Sequence, residues 1–496
     1  MTARLTATTA RLPIRLYPIV LALAAVGELL IVSAASPFAA LRAFVAAIVI
    51  AIALSLIGRL VFGDRDRAAL FAAIGIGLIM AGRDPRAVVA VAVAVGLLLM
   101  ERYLVPPARR TIEWPRVSRV AAALTAVLVL AMLIQAIQLG TPQRFARAAI
   151  YQTALRPAVT TTASPSDPDI YLIMLDGHAR ADVLKEVFDV DGAAFVDALE
   201  QRGFAVSAQS RSDYEVTVHT LSSMFNMAML PAIDRLAPTL AGELDPPPGG
   251  VYFDVINDNA VFANLRARGY EIDSIGSGYE EVAMREADRF VDTGQLNEFE
   301  IGMLRRTVFG NLLRVVAPDF VSAQQRSRIQ GILDETVVLA SESAARPRLL
   351  FAHVPSPHPP WVFHADGSPR TVPDLTSFFR ESPEETGLTG PELEDGYKGQ
   401  VADIDRKLLA TLDRLEPRLH SGGRPAVVIV FSDHGTWIGA TGDDRGRRDR
   451  NLLAVRSTEA NVTFGSDETL VDVFPSMFEQ LFGPGWRDAP TGATGP

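Results

Sequence analysis

Five long apolar runs in the first 140 or so residues constrain the fold of this chain most strongly. They occupy residues 16–35, 38–62, 68–81, 87–104 and 120–139. About 20 apolar residues are needed for a helix to cross the hydrocarbon core of a bilayer. The runs therefore predict an all-α transmembrane anchor domain of about five spans over residues 1–142. The third and fourth runs are short, so a re-entrant hairpin is the alternative for that pair.

The distribution of basic residues predicts the orientation of these spans. Eleven arginines lie before the first run, around the junction of the second and third, or around the junction of the fourth and fifth: Arg4, Arg11, Arg15, Arg59, Arg65, Arg67, Arg102, Arg109, Arg110, Arg116 and Arg119. The alternate loops hold only Arg42, Arg83 and Arg86. The positive-inside rule then places the N-terminus in the cytoplasm. An odd number of spans predicts a multi-pass plasma-membrane protein with an extracytoplasmic C-terminal domain.

Composition and charge exclude several classes of function. The chain has no cysteine, so it has neither a thiolate nucleophile nor a cysteine-based zinc site. Any metal must be held by Asp, Glu and His side chains. The net charge of −10 argues against a nucleic-acid partner bound through a basic surface. Apart from Glu28, the middles of the apolar runs carry no charge, which gives little support to a transport pathway and favours an anchor or a groove for lipid.

The remaining sequence predicts a linker at 143–168, rich in Thr, Ser and Pro, and one large domain at 169–490. Apolar strand candidates occur at 170–177, 203–210, 269–276, 348–354 and 426–432, and helical patterns occur between them, including 217–229 and 397–415. Strands that alternate with helices predict an α/β/α domain with a central, largely parallel sheet. In such domains the functional residues gather beyond the carboxyl ends of the strands.

Three candidate metal ligands stand at such strand ends. Asp176 ends the apolar stretch "IYLIMLDG", and Asp433 and His434 end "VVIVFSDHG". Asp and Gly are also ordinary turn residues at strand ends, so each motif taken alone is ambiguous. Two carboxylates and one imidazole suit zinc, and manganese is also compatible. A divalent cation there would lower the pKa of a bound hydroxyl and stabilise charge on a transferred phosphoryl or sulfuryl oxygen.

A hydroxyl nucleophile is available in "SRSDYEVTVHTLSSMFNM". Thr217 lies at the predicted start of a helix, where the positive end of the helix dipole favours an alkoxide and an anionic ester. Thr220, one turn later, is the rival nucleophile. The alternative without chemistry is that Thr217 is an N-cap, or that Asp213 caps the helix and Thr217 is an inert residue of the first turn.

Two histidines and one arginine are candidates for substrate binding. His353 and His358 lie in "FAHVPSPHPPWVF", where prolines stiffen the loop. An imidazole can bond a substrate oxygen, bind a metal or transfer a proton, and the alternative is a loop histidine paired with a backbone carbonyl. Arg180, which follows Asp176 closely, suits an anionic substrate but is equally compatible with a position on a helix surface.

The order of these motifs resembles a known family. The apolar strand with "LDG", then "SDYEVT", "HVPSPHPPWVF", "YKGQVADIDRKLL" and "VFSDHG" are similar to the sulfatase-like branch of the alkaline phosphatase superfamily. The similarity is greatest to bacterial membrane-anchored lipoteichoic acid synthases and phosphoglycerol or phosphoethanolamine transferases. It covers most of residues 169–479, and a membrane anchor of five spans is also typical of those enzymes.

The resemblance implies one divalent metal ion (Mn, Zn or Mg) held by Asp176, Thr217, Asp433 and His434. It also implies Thr217 as the catalytic nucleophile, His358 as a substrate contact and, by a weaker match, His353. The expected activity is transfer of a phosphoester group through a covalent threonine intermediate, from membrane lipid to a lipid or glycan acceptor of the cell envelope.

Two features depart from the family pattern. The first ligand is Asp176, where lipoteichoic-type enzymes use Glu. The Cys-x-Pro-x-Arg signature of true sulfatases is absent, which weakens sulfate-ester hydrolysis. The alternatives that remain are a sulfatase or phosphatase that uses water as acceptor, and a catalytically inactive envelope-assembly or sensor module.

Overall fold

The structure is a computed structural model, and it describes residues 14–33, 37–82, 85–138, 164, 167–229, 250–372, 388–421, 424–436, 438 and 447–486. The chain divides into two compact units. One consists of Met1–Pro142 and Phe299–Val316, and the other of Gln143–Glu298 and Ala317–Pro496. Most of the predicted linker at 143–168 lies outside the described residues.

The first unit contains the helices that correspond to the five apolar runs. They are α1 (Tyr17–Ser33), α2 (Leu41–Phe62), α3 (Arg65–Met80), α4 (Pro85–Tyr103) and α5 (Trp114–Gln138). Among the described residues, only α2 and α5 are long and apolar enough to cross a membrane by length and composition, and α1 is a shorter apolar helix. An N-terminal helical region is thus present, whereas five complete spans remain a proposal.

The five helices run in alternating directions. The end of α2, the end of α4 and the start of α5 meet in a cluster of Phe62, Leu98 and Trp114. At the same side, Arg15 before α1 pairs with Asp66 at the start of α3, and Arg67 pairs with Glu101 at 3.0 Å. The basic loops that predict the cytoplasmic side therefore converge on one end of an up-and-down bundle.

The second unit contains a mixed sheet with mainly parallel strands. Its described strands are β1 (Asp169–Leu175), β2 (Ala205–Val206), β3 (Glu271–Ile275), β4 (Arg289–Val291), β5 (Arg348–Val354), β6 (Ala426–Phe431) and β7 (Leu453–Thr458). They are ordered β2-β7-β6-β1-β5-β3-β4. The five strands from β6 to β4 are parallel, and β7 and β2 add an antiparallel edge.

Helices cover both faces of this sheet. They are α6 (Ala181–Phe188), α7 (Gly192–Glu200), α8 (Thr217–Asn226), α9 (Gly250–Asn257), α10 (Ala260–Ala267), α13 (Phe320–Ser341), α14 (Gly390–Ser421) and α15 (Val473–Phe482). The remaining helices α11 (Glu298–Arg305) and α12 (Val308–Val316) lie almost wholly in the segment that belongs to the first unit.

The alternation of side chains along β1 produces two buried cores. Ile170, Leu172 and Met174 pack with α8, α10 and α15, while Tyr171 and Ile173 pack with α7, α13 and α14 on the opposite face. A strand that is apolar on both sides must be covered on both sides. The predicted α/β/α arrangement with a largely parallel central sheet is therefore confirmed.

Two details of the predicted elements were wrong. The candidate strand at 203–210 forms only the short β2. Ser207 makes a last bond to β7, donating its amide to Leu453, and the polar residues after it leave the sheet, since Gln209 donates to Ser466 in a loop. The sequence also missed β7, whose second half is only half-buried at the antiparallel edge and so lacks the continuous apolar run of the central strands.

Candidate metal centre

The three candidate ligands meet because β1 and β6 are parallel neighbours. Asp176 follows β1, and Asp433 and His434 follow β6, whose Phe431 lies opposite Met174. Parallel strands bring their carboxyl ends to the same edge of a sheet. The Asp176 amide also donates to the carbonyl of Val354 at the end of β5. All three candidate side chains are buried.

The ligand atoms of this cluster face one another. One atom each from Asp176, Asp433 and His434 lies within 4.8 Å of the others. His434 Nε2 is 3.2 Å from Asp433 Oδ2 and 3.9 Å from Asp176 Oδ1. Within the described part of the chain, those two carboxylate oxygens are buried and have no hydrogen-bond partner. Such atoms are costly to bury, and a divalent cation would satisfy both, so these residues fit a metal ion.

The tautomer of His434 is fixed by its neighbour. Its Nδ1 lies 2.6 Å from the carbonyl oxygen of Gly435. A carbonyl only accepts, so Nδ1 carries the hydrogen and Nε2 presents its lone pair to the two carboxylates. Burial, and then the positive charge of Arg448, lower the pKa of His434 to about 3. A neutral imidazole with its lone pair aimed at two carboxylates is the form that binds a metal.

The two carboxylates differ in their electrostatic surroundings. Burial opposes ionisation of Asp176, but the imidazole of His358 and the hydrogen bond from His353 outweigh it and hold the pKa of Asp176 well below its usual range. Burial and the negative charge of Asp176 raise the pKa of Asp433 to about 7. Gly177 partly offsets this by donating its amide to Asp433 Oδ1 at 3.1 Å.

We expect the raised pKa of Asp433 to make metal binding depend on pH. Below pH 7, Asp433 of the metal-free protein holds a proton that the metal must displace. Affinity should therefore rise about tenfold per pH unit up to about pH 7 and then level off, with about one proton released per ion at low pH. Isothermal titration with manganese or zinc in buffers of different ionisation enthalpy measures both quantities. Equal affinity at pH 5.5 and 7 would contradict this.

Thr217 and Thr220 make different contacts, although both lie on α8. Thr217 is the first residue of the helix and is buried, and its Oγ1 lies 3.2 Å from His434 Nε2. Thr220 Oγ1 donates instead to the backbone carbonyls of Tyr214 and Asp433, each at 3.2 Å. The structure therefore brings Thr217 into the cluster and gives the hydroxyl of Thr220 backbone partners.

His353 lies next to the candidate ligand Asp176. This buried side chain, on β5, lies with Nε2 2.9 Å from Asp176 Oδ2. Its ring thus orients Asp176 and leaves Oδ1 to face His434. The resemblance suggested a substrate contact for His353, but burial and this hydrogen bond favour support of a metal ligand instead.

We expect His353→Gln to weaken metal binding without eliminating it. Loss of a residue that orients a ligand typically costs about 10–100-fold in affinity. Equilibrium dialysis of manganese or zinc at pH 8 measures the change. His364→Gln is the matched control, because His364 is exposed and lies outside the cluster. Unchanged affinity in His353→Gln would show that Asp176 does not need this partner.

His358 and Arg180 have different surroundings. The half-buried His358 donates its amide to the carbonyl of Asp176 at 2.8 Å, and its ring lies 6.4 Å from that of His434, centroid to centroid. Arg180 forms a two-pronged pair with Asp182 and also donates to the carbonyl of Ser210. The predicted substrate role of Arg180 is not reflected in these contacts, which link the start of α6 to a neighbouring loop.

Arg448 is a site residue that the sequence analysis missed. It is buried, its guanidinium lies 3.5 Å from His434 Nε2, and its Nε donates to the carbonyl of Glu215, two residues before Thr217. It stands among other arginines in "DDRGRRDRN". The sequence gives no signal that separates this buried arginine from Arg447 and Arg450, which are half-buried.

The motif "YKGQVADIDR" on α14 supports the site from one side. Tyr397 donates its hydroxyl to the carbonyl of Gly177, and Gln400 accepts the amides of Val362 and Phe363. Asp405 pairs with His178 Nε2 at 2.8 Å. This helix therefore holds the loop after Asp176 and the loop that contains His358.

Comparison with known proteins finds similarity in structure only. No protein-family model matches the chain, and no curated protein matches it. The matching solved structures include phosphoethanolamine transferases. One is the integral membrane lipooligosaccharide phosphoethanolamine transferase A from Neisseria meningitidis, with 13% identity, a TM-score of 0.40, and 94% of each chain covered.

Two matches are to the outer domains of such proteins alone. The soluble domain of the Neisseria meningitidis transferase matches over 65% of this chain and 90% of that one, with 13% identity and a TM-score of 0.40. The C-terminal periplasmic domain of EcEptC from Escherichia coli, in complex with zinc, matches over 65% and 86%, again at 13% and 0.40. These proteins belong to the class that the sequence motifs resemble.

Proposed function

We propose that this chain is a membrane-anchored, metal-dependent enzyme that transfers or hydrolyses a phosphoester, with Thr217 as its nucleophile. One observation carries the proposal: the Thr217 hydroxyl lies 3.2 Å from His434 Nε2, beside two buried carboxylate oxygens that lack hydrogen-bond partners within the described residues. The hydroxyl thus adjoins a cluster of two carboxylates and an imidazole lone pair whose ligand atoms lie within 4.8 Å of one another. The buried oxygens without partners would be costly in a core that binds no ion.

Asp176, Asp433, His434 and Thr217 are the residues that would hold one divalent ion. When bound, manganese, zinc or magnesium would lower the pKa of the threonine hydroxyl and stabilise negative charge on the phosphoryl oxygens. Thr217 also begins α8, so the positive end of the helix dipole favours both its alkoxide and an anionic ester. His353 keeps Asp176 oriented while this happens.

The reaction would proceed in two displacements at phosphorus. First, Thr217 Oγ1 releases its proton to water and attacks phosphorus, while the bond from phosphorus to the leaving alcohol breaks and that oxygen takes a proton from the His358 imidazolium. The product is a phosphodiester on Thr217. The acceptor hydroxyl then attacks phosphorus and gives its proton to His358, while the bond to Thr217 Oγ1 breaks and Oγ1 takes a proton back from water. His358 suits this role because its ring is half-buried next to that of His434.

Arg448 would contact the anionic ester. Its guanidinium stands beside His434 Nε2, and a planar fork of donors suits phosphoryl oxygens better than a point charge does. We expect Arg448→Lys to lower kcat/KM by about 10–100-fold. Steady-state kinetics measure this, and Arg456→Lys, which alters an arginine paired with Glu416 on the antiparallel edge of the sheet, is the matched control. Equal losses in both variants would argue for a general effect on folding.

The membrane unit leads us to propose a lipid-linked donor and a lipid or glycan acceptor of the cell envelope. Helices α1 to α5 would form five spans, with the basic end of the bundle in the cytoplasm and the catalytic domain outside. A bilayer-anchored enzyme meets lipid head groups at high local concentration, so a phospholipid is the donor that the anchor favours.

Head-group release from phospholipid tests the proposed function. The full-length protein, stripped of metal and reconstituted in vesicles, is supplied with manganese, zinc or magnesium and with phospholipid labelled in its glycerol- or ethanolamine-phosphate head group. We expect release that requires the metal. A product attached to an added glycan acceptor identifies a transferase, and free labelled phosphate ester identifies a hydrolase. Protein that binds none of the three ions would overturn the proposal and favour an inactive module.

A further inference from the structure

Two helices from the middle of the C-terminal sequence belong to the first unit. The chain enters this unit again at Phe299 and leaves it at Val316, so α11 and α12 cluster with the N-terminal helices. Its two helices, of 8 and 9 residues, are each too short to span a bilayer, and the segment "FEIGMLRRTVFGNLLRVV" is charged at Glu300, Arg305, Arg306 and Arg314. Its place in the fold therefore needs another explanation.

Specific contacts fix α11 and α12 to one end of the helical bundle. Phe299 packs in a cluster with residues at the end of α1 and the start of α2: Val26, Leu29, Ala39 and Ala40. Arg42 makes a two-pronged ion pair with the buried Glu300, both contacts at 2.7 Å. Asn311 donates to the carbonyl of Gly82 just after α3 at 3.1 Å. This end is opposite to the basic one.

The outer face of α12 is apolar and exposed. Phe309, Leu312, Val315 and Val316 are 42%, 55%, 80% and 65% exposed. Positions 309, 312 and 316 follow helical spacing, and 315 extends the same face. Gly310, on the other side of the helix, is buried. A surface helix with its apolar side turned outward requires an apolar environment there.

We infer that α12 lies in the interface of the outer leaflet, with this face in contact with lipid. We take lipid as the occupant because the exposed apolar surface is continuous: α12 is tied to the end of α3, and α11, just before it, is tied to α2, whose Val45 and Val49 are apolar and exposed. Amphipathic helices of this kind bury their apolar face about 5–10 Å into the boundary between head groups and acyl chains. The exposed Arg314 on the same helix suits an anionic head group, whereas Arg306 pairs with Glu28 of α1 at 3.0 Å.

This inference goes beyond the proposed function. It gives the catalytic domain two connections to the bilayer along the chain, one through residues 139–168 after α5 and one through α11 and α12. A failure of the lipid contact would leave the metal centre and its chemistry untouched, and an inactive metal centre would leave the lipid contact untouched.

Single cysteines can test the lipid contact, since the chain has none of its own. Leu312→Cys and Val315→Cys, each made in the full-length protein and reconstituted in vesicles, are spin-labelled. Collisions with oxygen, which partitions into lipid, are compared with collisions with a water-soluble nickel chelate. Val45→Cys on α2 is the lipid control, and Val338→Cys is the aqueous control, because Val338 is an exposed valine on α13 of the other unit.

We expect labels at both α12 positions to favour oxygen, as at Val45, with depths of about 5–10 Å below the phosphates. Accessibility to the nickel chelate equal to that at Val338 would overturn the inference. Protection from both reagents would overturn it as well, because it would mean that protein covers the face, for example a second copy of the chain.

Discussion

Replacement of Thr217 by alanine is expected to abolish turnover while metal remains bound. In enzymes that use a hydroxyl nucleophile, loss of that group lowers kcat by about a thousandfold or more. Asp176, Asp433 and His434 keep their positions in this variant, since β1 and β6 hold them, so the ion should still bind at saturating concentration, although more weakly because one of the four proposed ligands is lost. Head-group release under saturating metal, together with metal content of the purified protein, measures the two effects separately.

Thr220→Val is the matched control for this variant. It removes a hydroxyl from the same helix, one turn away, that donates to backbone carbonyls and not to the cluster. A loss of less than about tenfold is expected from these net hydrogen bonds. If Thr217→Ala retained full activity and Thr220→Val lost it, the two threonines would have to exchange roles. Thr217→Ser should keep part of the activity, because it keeps the nucleophilic oxygen.

The second large effect is expected from Asp433→Asn, which should abolish metal binding and activity together. The amide cannot supply the negative charge that Asp433 Oδ2 offers opposite His434 Nε2 at 3.2 Å. Metal present at a thousand times its dissociation constant stabilises the native protein by about 4 kcal/mol. We therefore expect metal to raise the apparent Tm of the unaltered protein and to leave that of the variant unchanged, as measured by differential scanning fluorimetry.

Without metal, we expect the Asp433→Asn variant to be at least as stable as the unaltered protein. The pKa of Asp433 is raised to about 7 by burial and by Asp176, whereas an unfolded Asp titrates near about 4. The folded state thus binds more protons between these values, and the stability of the metal-free protein falls as pH rises from about 4 to about 7. Asparagine removes this penalty, so at pH 8 without metal the variant should melt no lower than the unaltered protein.

Asp413→Asn is the control for Asp433→Asn. Asp413 also forms an ion pair, at 2.7 Å from Arg202 Nε, but it stands outside the cluster and outside the contacts that hold its loops. It should keep metal binding and the metal-dependent rise in Tm. If the Asp433→Asn variant still bound the ion with the original affinity, Asp433 would not be a metal ligand.

Local patterns were enough to predict the layers of the second unit and the helical character of the N-terminal segment. Apolar runs with few charges can form little other than buried or membrane helices, and all five appear as helices among the described residues, although only two of them are long and apolar enough to cross a membrane. Strands such as β1 and β6, apolar on both sides, can only lie in a sheet covered on both faces. Because the carboxyl ends of parallel neighbours coincide, the residues after them could be grouped from sequence as Asp176, Asp433 and His434.

Contacts between distant segments decided the rest. Thr217 and Thr220 share one helix, and only the approach of the loop after β6 gives one of them His434 and the other backbone carbonyls. His353 became a partner of Asp176 because β5 lies beside β1. Arg448 likewise reaches His434 only through packing of distant segments. Helices α11 and α12 belong to the first unit although their sequence neighbours belong to the second. Sequence periodicity determines which face of an element is apolar, but the partner that covers a face or accepts a hydrogen bond is chosen by packing in three dimensions.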